Sequence, residues 1–467
     1  MQRSKTPPWL LKLVSVLLVL AHFLSPTALR RSTLCAVLPP GRAQLPIVGD
    51  TFRLLSPKTM GSYQIASREK WGPVWKTSLL FKQAVFVTGS KLLDEAFREE
   101  VRKKTSAFFP PHHKKMFGPN SLLVQSGPFH AQLRRTIQQS LTPQAVSEYE
   151  QLIVAEVDAF LASCKSRDGA FALVPELRAL MVKVALRVLF GQAASEEQVA
   201  KLVEDVTTWS KGLLSAPLTF IPWSTAARAM RARACVAAML GEWIARCRNG
   251  AAGQRSLLAR LVNSVDEETG EALSDDAIVD NVFTLIFAGS DTTASSIASA
   301  FLQLSLSPEL QQQLRDLCRD SGHEEQAAAI EAFMGEVLRA GPPAPFSMRM
   351  VDGEPLRIGD FDVPSGWLVA YGFAGTLGGD AQEYPRPETF DVQRFRSKDA
   401  AKQWAFGGGP RMCPGRFLAT AEMRTLMQKV LGPGGFRWRL EDGQDLSQQY
   451  TPGYFPVGGL RIKLLKE

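Results

Sequence analysis

The sequence predicts a mainly α-helical protein with a small β-rich portion. Between about residues 120 and 340, apolar residues recur at helical spacing in long segments, with few strand signals. Before this region, the apolar runs VWKTSLL and QAVFVTG are bounded by Gly and Pro, which is typical of short strands. Strand-like runs return at 346–372 and in the C-terminal GGLRIKLL. Because no internal repeat or low-complexity tract interrupts this pattern, residues 50–467 are predicted to form a single domain.

The composition is that of a folded protein with a large core. Of the 467 residues, 45% are hydrophobic and 21% are charged, which is close to ordinary globular usage. The net charge of +8 comes from residues scattered along the chain. This predicts a mildly basic surface, suited to an acidic partner protein or an anionic membrane surface. No sequence motif supports nucleic-acid binding.

Residues 1–28 form an N-terminal hydrophobic segment, in which the apolar run Leu13–Leu24 follows the basic MQRSKTPPWLLK. A run of this length spans only ~18 Å as a helix, which fits the core of a signal peptide. Counted over 9–28, with Lys12 reaching the interface, the segment is also long enough for a marginal membrane anchor. Anchor and cleaved signal therefore both fit. Residues 29–49 are predicted to form a proline-rich linker.

One cysteine stands in an unusual local context. FGGGPRMCPG, residues 406–415, places Cys413 in a loop broken by Gly and Pro, before an apolar pattern of helical spacing that ends at Gly432. Pro414 suits a first helical turn, so Cys413 is predicted at a helix N-terminus, where backbone N–H groups stabilise a thiolate. The cysteines are widely separated and contain no CxxC pair, which argues against a zinc site or a disulfide scaffold.

A thiolate in this position is either a nucleophile or a metal ligand. A nucleophile needs a base, and none of the five histidines stands in an Asn or Asp context typical of a Cys-His pair. An axial ligand to haem iron needs no second protein ligand, because the porphyrin supplies four. A purely structural thiol on an amphipathic helix is the remaining alternative. Haem ligation requires the fewest additional residues.

The spacing of Phe406, Gly409, Arg411, Cys413 and Gly415 resembles the haem-ligand signature F-x-x-G-x-R-x-C-x-G of the cytochrome P450 family. At roughly one chance in twenty per position, five matches arise in about one window in three million. The resemblance implies that Cys413 is the axial iron ligand of haem b (iron protoporphyrin IX), that Arg411 binds a propionate, and that the other three complete the cofactor-binding loop. It also implies the cytochrome P450 fold, with the haem between a long central helix and the cysteine-ligand loop and helix.

The segment SDDAIVDNVFTLIFAGSDTT begins a predicted long helix, capped near Ser274 and ended by Pro308. Its centre contains Gly289, which lowers helix propensity by about 1 kcal/mol, and the polar pair Asp291 and Thr292. An acid beside an alcohol can relay protons from water to a buried oxygen. AGSDTT resembles the family's oxygen-activation motif A-G-x-[DE]-T-[TS], which implies a catalytic role for the pair. Taken alone, these residues favour a polar seam between packed helices.

The segment GEVLR places Glu336 and Arg339 on one helical face. Taken alone, this spacing is typical of a surface ion pair. In the resemblance it corresponds to the family's E-x-x-R structural element, which Arg394 of PETFDVQRF completes into a buried three-member network. Gln393 stands where the family commonly has Glu. The stretch from Thr292 to Glu336 is shorter than is usual in the family.

Three further residues belong to the implied cofactor site. His130 and Arg134, in FHAQLRR, stand at the family's W-x-x-x-R position on a helix that crosses a propionate, with His in place of Trp. Arg349, in PFSMRMV, stands where many members place another propionate-binding residue. Taken alone, a single histidine is more often structural than functional.

The resemblance covers the chain from about Leu38 to the C-terminus and implies a monooxygenase. Such an enzyme inserts one oxygen atom from O2 into a C–H bond of a hydrophobic small molecule, using electrons from NADPH through an NADPH-cytochrome P450 reductase or a ferredoxin. A basic face that includes Arg411, Arg416 and Arg424 is expected to dock this partner. The alternatives are a haem-thiolate isomerase or dehydratase acting on lipid peroxides, and a non-catalytic haem-binding sensor.

The segments 116–127 and 212–234 resemble those of retinoic-acid hydroxylases and of the related sterol- and plant-hormone-oxidising enzymes. This implies a retinoid, apocarotenoid or sterol-like lipid as substrate. The apolar residues expected to line its cavity are Leu122, Leu123, Leu213, Leu214, Phe220 and Ile221. The family's common eukaryotic arrangement implies an endoplasmic reticulum membrane location through a single-pass N-terminal anchor, with a two-part plastid leader as the alternative.

Overall fold

The computed structural model describes residues 37–41, 49–55, 60–79, 82–102, 105–191, 195–213, 215–250, 256–396, 401–450 and 453–465. The predicted hydrophobic segment 1–28 and most of the predicted linker 29–49 lie outside these residues, as does Leu214. Within the described part of the chain, no helix combines the length and the apolar character needed to cross a bilayer.

The described residues form fifteen α-helices and twelve strands, numbered here in chain order. The helices are α1 Thr51–Leu55, α2 Met60–Trp71, α3 Ser90–Arg102, α4 Pro111–Phe117, α5 Gly127–Gln139, α6 Pro143–Lys165, α7 Leu173–Phe190, α8 Glu196–Leu213, α9 Thr225–Arg248, α10 Leu257–Asn263, α11 Asp275–Leu306, α12 Pro308–Asp320, α13 His323–Ala340, α14 Phe373–Leu377 and α15 Arg416–Leu431. The strands are β1 Val74–Leu79, β2 Lys82–Val87, β3 Thr105–Ala107, β4 Ala170–Ala172, β5 Phe346–Val351, β6 Leu356–Ile358, β7 Phe361–Val363, β8 Leu368–Gly372, β9 Arg437–Leu440, β10 Gln448–Tyr450, β11 Tyr454–Pro456 and β12 Arg461–Leu465.

The strands gather into one sheet of five strands and three smaller sheets. The large sheet has the order β1-β2-β8-β5-β3, and its β2–β8 pair is parallel while the other neighbours are antiparallel. β12, at the C-terminal end of the described chain, pairs with β4 from the helical middle and with β9. The chain therefore closes on itself, and the buried side chains of the main core run from Val74 to Ile462.

The long helix α11 forms where the sequence predicts it. The Ser274 hydroxyl accepts a hydrogen bond from the Ala277 N–H at 3.2 Å, Asp275 and Asp276 favour the positive end of the helix dipole, and Pro308 follows the last turn. With 32 residues, α11 is ~48 Å long and crosses the core beside α7. The short stretch that follows it forms α12 and α13 with connections of one or two residues. The predicted mainly α fold with a small β portion is confirmed.

Candidate active site

Cys413 lies in a loop made of two 3-10 turns, Trp404–Phe406 and Gly409–Arg411, that leads into α15. The Cys413 N–H donates to the Phe406 carbonyl at 2.9 Å, which closes the loop on itself. The helix begins at Arg416 rather than at Pro414, so the predicted position of Pro414 in the first helical turn is wrong. Pro414 and Gly415 instead form a turn ahead of the helix, since the Cys413 N–H is already committed to the loop.

Two glycines of this loop, Gly409 and Gly415, have different surroundings. Gly409 has a φ of +64°, and a Cβ there would stand 2.8 Å from the Phe97 ring of α3. Both its backbone conformation and its close packing therefore require glycine. Gly415 has an ordinary negative φ, and no described atom lies within 4 Å of the place where its Cβ would stand. The side of the loop at Gly415 is therefore open.

Cys413 is largely surrounded by protein, and the residue as a whole keeps part of its accessible surface. Burial raises its pKa, while the Gly415 N–H and the positive charges of Arg134 and Arg416 act in the opposite direction. Coordination to a metal cation deprotonates a thiol outright, so the raised pKa does not oppose a role as a ligand. Cys413 therefore lies in a partly enclosed position beside positive charges.

Basic side chains from three separate segments converge near Cys413. We call this group the cationic cluster; it comprises His130 and Arg134 from α5, Arg349 from β5, and Arg411 from the cysteine loop. Burial, and then the neighbouring guanidiniums, lower the pKa of His130 to about 3 and that of Arg411 to about 10. Such mutual repulsion among partly buried cations indicates a site for anionic groups.

Within the described part of the chain, the hydrogen bonds of the cationic cluster leave some of its N–H donors without a protein acceptor. Arg411 donates through Nη2 to the Gln125 carbonyl at 2.5 Å and to the Ser126 hydroxyl at 3.0 Å. Arg349 is fixed by an ion pair with Glu100, with Nε 2.9 Å from Oε1. Burial lowers the pKa of Arg134. A negative charge on the Cys413 sulfur acts in the opposite direction and would raise it. The cluster thus links the thiol to a region of positive potential.

The centre of α11 presents one face to open space. One helical face, with i, i+3, i+4, i+7 spacing, keeps accessible surface at each of its positions: Leu285, Ala288, Gly289 and Thr292. Apart from the helix backbone itself, no described atom lies within 4 Å of where a Gly289 Cβ would stand. A flat ligand has room to lie against the backbone here.

Asp291 and Thr292 point to different partners. The Thr292 hydroxyl donates to the Ala288 carbonyl at 2.5 Å. Asp291 forms an ion pair with Arg178 of α7 at 3.0 Å, and Arg178 in turn stacks on the Phe455 ring at 4.2 Å. Burial raises the pKa of Asp291, and the Arg178 charge opposes this. Asp291 also borders a cavity of about 430 Å³ between α7, α8 and α11, which offers water a route towards its carboxylate.

Glu336, Arg339 and Arg394 form the predicted three-member arrangement. Arg339 donates to both carboxylate oxygens of Glu336 at 2.8 Å, and its remaining N–H groups reach the carbonyls of Leu377, Pro387 and Thr389. Arg394 approaches Glu336 with Nε at 3.5 Å. The Glu336 and Arg339 side chains are 0% and 2% exposed, so the pair lies in the core rather than on the surface.

This arrangement fits haem b. The cationic cluster offers positive charge and unused N–H donors to two propionates, the open face of α11 leaves room for a flat ring, and Cys413 presents a sulfur to the same interior. Fold and site together define a haem-thiolate enzyme. The sequence profile of the family described as Cytochrome P450 matches residues 39–464, and the chain belongs to that family.

Comparisons with individual proteins place the chain among hydroxylases of small molecules. It is 28% identical to abscisic acid 8'-hydroxylase 1 of Oryza sativa subsp. japonica, over 92% of this chain and 91% of that protein. It is 26% identical to cytochrome P450 26A1 of Danio rerio, over 91% of this chain and 90% of that protein. A solved structure of retinoic-acid-bound cyanobacterial CYP120A1 superposes with a TM-score of 0.81 at 27% identity, covering 92% of this chain and all of the other. The chain is therefore a monooxygenase of hydrophobic small molecules.

Several residues of the site carry no clear signal in the sequence. Arg178 lies in an ordinary amphipathic helix, and only the fold brings it to Asp291. Glu422 of α15 is fully enclosed beside the Thr293 hydroxyl, and burial raises its pKa to about 8. The only sign of this burial in the sequence is that Glu422 lies within the apolar helical pattern that follows Cys413. Phe220 is 74% exposed in the loop between α8 and α9, so its predicted place in the cavity wall is wrong, because this loop turns the ring to solvent.

Proposed function

We propose that Cys413 is the axial thiolate ligand of the haem, and that the chain hydroxylates an apolar isoprenoid lipid of the retinoid, apocarotenoid or sterol-like type. The observation that supports the proposal is the position of Cys413, partly accessible as a residue, beside the cationic cluster in a chain of this family. When bound, haem supplies the activation of dioxygen at iron, and a thiolate ligand favours cleavage of the O–O bond.

The residues around the cofactor hold and orient it. Arg134, Arg349 and Arg411 would bind the propionates through charge-assisted hydrogen bonds, and His130, whose lowered pKa keeps it neutral, would donate or accept one more. Phe406 holds the backbone of Cys413 through its carbonyl, and Gly409 lets α3 pack over the loop. Glu336, Arg339 and Arg394 fix the core beneath this region.

Proton delivery is assigned to Asp291 and Thr292. Asp291 exchanges a proton with water in the adjoining cavity, and burial, which raises its pKa, favours the protonated form more than in an exposed carboxyl group. The Thr292 hydroxyl, on the open face of α11, would hold a proton at the side of the helix where the ring has room to lie. Arg178 positions Asp291 and must release it for the carboxyl to turn.

The substrate class rests on an aromatic wall and on the relatives. Phe117, Trp209 and Phe287 contact one another with ring centroids 5.2 to 6.1 Å apart. Phe117 and Trp209 are buried, and Phe287 keeps accessible surface and lines the cavity that Asp291 borders. Such a wall favours a long apolar molecule over a polar one. Two matched proteins are named for abscisic acid and retinoic acid, which directs the choice to lipids of this kind.

Electrons reach the haem from NADPH through a reductase or a ferredoxin. Of the three arginines expected on the docking face, Arg411 belongs to the buried cationic cluster and Arg424 is neutralised by Glu331 at 2.9 Å and Glu150 at 3.8 Å. Arg416 remains, at the edge of a surface cavity of about 510 Å³ lined also by Phe406 and Phe417. The positive charge offered to a partner on this side is therefore smaller than the sequence predicts.

Ligation is tested by the reduced carbon-monoxide difference spectrum of the purified holoenzyme. Wild type is expected to give the Soret band typical of thiolate ligation, and Cys413→Ala is expected to lose it. Cys318→Ala, which removes a buried cysteine of α12, is the matched control and should keep the band. A thiolate band that survives in Cys413→Ala would refute the assignment.

Reaction type and substrate need a second experiment. Retinoic acid, abscisic acid and a sterol are titrated against the Soret band, and any compound that shifts it is incubated with NADPH and a reductase or ferredoxin. A hydroxylated product that requires NADPH is expected. Turnover of a lipid hydroperoxide without electrons would replace the monooxygenase by an isomerase or dehydratase.

The cellular location is proposed from the sequence alone. A fusion of residues 1–45 to a fluorescent reporter is expected to label the endoplasmic reticulum membrane. Plastid labelling would support the two-part leader instead.

A further inference from the structure

A buried carboxylate stands next to the cationic cluster. Glu100 lies in the last turn of α3, and its side chain is 3% exposed. Its Oε1 accepts the Arg349 Nε–H at 2.9 Å and the Thr105 hydroxyl at 3.3 Å. Its Oε2 is buried and has no hydrogen-bond partner in the described chain. The sequence gives no reason to single this residue out, because REEVR is typical of a solvated helix end.

The contacts of Arg349 divide its guanidinium into a held edge and a free edge. Nε is held by Glu100, and Nη1 donates to the Met348 carbonyl at 2.9 Å. Among the described residues, Nη2 has no hydrogen-bond acceptor in the protein. The planar fork is thereby oriented with one nitrogen left for an incoming carboxylate. Glu100 thus determines where Arg349 can offer its hydrogen bond.

Glu100 also changes the charge of the whole site. Its negative charge reaches Arg411, whose lowered pKa it partly restores, and it raises the pKa of the buried Tyr371, whose hydroxyl lies close by without forming a hydrogen bond. Arg134, Arg349 and Arg411 carry three positive charges, His130 is neutral, and Glu100 removes one, which leaves two. Two is also the charge that the propionates of haem b require for balance.

We propose that Glu100 is a positioning residue for the haem, which orients Arg349 towards a propionate and lowers the reduction potential of the iron. This inference rests on the proposed haem site. A negative charge held in a poorly solvated region disfavours the reduced iron, because reduction removes positive charge from the centre. The ion pair with Glu100 also lowers the reduction potential through Arg349, because an arginine shared with Glu100 neutralises the charge of a propionate less completely.

The test is the midpoint potential of the holoenzyme, measured by spectroelectrochemical titration. Glu100→Gln keeps the size and an acceptor for Arg349 and removes the charge, so the potential is expected to shift to a more positive value. Glu99→Gln is the matched control, because Glu99 lies one position earlier on α3 and pairs with Arg102 at 2.8 Å, away from the cationic cluster. This control is expected to leave the potential at the wild-type value.

A double-mutant cycle separates action through Arg349 from simple charge removal. Arg349→Gln alone is expected to shift the potential in the negative direction, and the two substitutions together should give a shift that differs from the sum of the single ones. Equal potentials for wild type, Glu100→Gln and Glu99→Gln would overturn the proposal, and additive shifts would overturn the positioning role. If Glu100→Gln does not retain haem, the Arg349→Gln variant still tests the proposal. An unchanged midpoint potential in that variant would show that Arg349, and therefore Glu100, does not act on the haem.

Failure of this inference is distinguishable from failure of the proposed function. If wild type shows a thiolate Soret band that Cys413→Ala loses, the haem assignment stands whatever Glu100→Gln does. If wild type shows no such band, the proposed haem site itself fails, and Glu100 fails with it.

Discussion

The buried pair Glu336–Arg339 allows a direct measurement of what burial does to an ion pair. We consider Arg339→Ala. Arg339 makes five hydrogen bonds at 2.8 to 3.2 Å, two of them to Glu336. After the substitution, Glu336 keeps only the Asp391 N–H at 2.8 Å and the more distant Arg394 Nε. Removing one partner from a buried pair costs about 3–5 kcal/mol, because the other charge stays desolvated.

The chain offers a control with the same spacing and chemistry. Arg319 and Asp316 of α12 are also an i,i+3 pair, with nitrogen and oxygen 3.0 Å apart, but their side chains are 60% and 44% exposed. Arg319→Ala is therefore expected to leave stability at the wild-type level. Arg339→Lys keeps the charge and loses the planar fork, so an intermediate loss is expected.

The assay is urea unfolding of the holoenzymes, followed by far-UV circular dichroism and by the Soret band at equal protein and haem concentrations. A loss of about 3–5 kcal/mol lowers the equilibrium constant for folding by roughly 10²- to 10⁴-fold, so the Arg339→Ala midpoint should move well below that of Arg319→Ala. Coincident midpoints for these two variants would refute the reasoning from burial, and a wild-type midpoint for Arg339→Lys would refute the reasoning from the fork geometry.

Three further predictions follow from single contacts. Burial raises the pKa of Glu422 to about 8. As pH rises from about 4.5 to about 8, the unfolded state therefore loses a proton that the native state keeps, and the free energy of unfolding falls. Glu422→Gln should reduce the difference between the urea midpoints measured at pH 5 and at pH 9. Gly409→Ala should destabilise more than Gly434→Ala in thermal unfolding, because both have positive φ but only Gly409 faces Phe97 at 2.8 Å; equal losses would mean that Phe97 yields freely. Asp280 forms an ion pair with Arg233 and accepts the Asn120 N–H at 2.9 Å, so Asp280→Asn should speed hydrogen exchange in 116–122, whereas the exposed Asp276→Asn should not.

The sequence was sufficient to predict the features that depend on neighbouring residues, namely helix ends, the Cys413 loop and the Glu336–Arg339 pair. The cap at Ser274, the acidic first turn and Pro308 define α11 within a residue, because helix ends are decided by nearby side chains. The glycines and proline around Cys413 predicted a loop before a helix, although the helix starts at Arg416. Spacing also brought Glu336 and Arg339 together, since i,i+3 neighbours share a face in any helix.

Contacts between distant segments could not be predicted from the residues alone. Glu100 and Arg349 are 249 positions apart, and nothing in REEVR or SMRMV distinguishes them from surface charges. Arg178 reaches Asp291 only because α7 packs along α11. The exposure of Phe220 depends on the direction of a loop between two helices, which apolar periodicity does not encode.

The order in which the site is assembled also has a consequence for synthesis. The cationic cluster draws on residues from His130 to Arg411, and the iron ligand proposed here is Cys413 of 467 residues. The hairpin of β10 and β11 then seats on α11, where the Ser295 hydroxyl donates to the Tyr454 carbonyl at 2.9 Å. The parts of the site that lie far apart in the sequence are therefore brought together only after Cys413 and the β10–β11 segment have been synthesised. A chain interrupted before Cys413 would carry fourteen of the fifteen described α-helices and would lack the iron ligand proposed here.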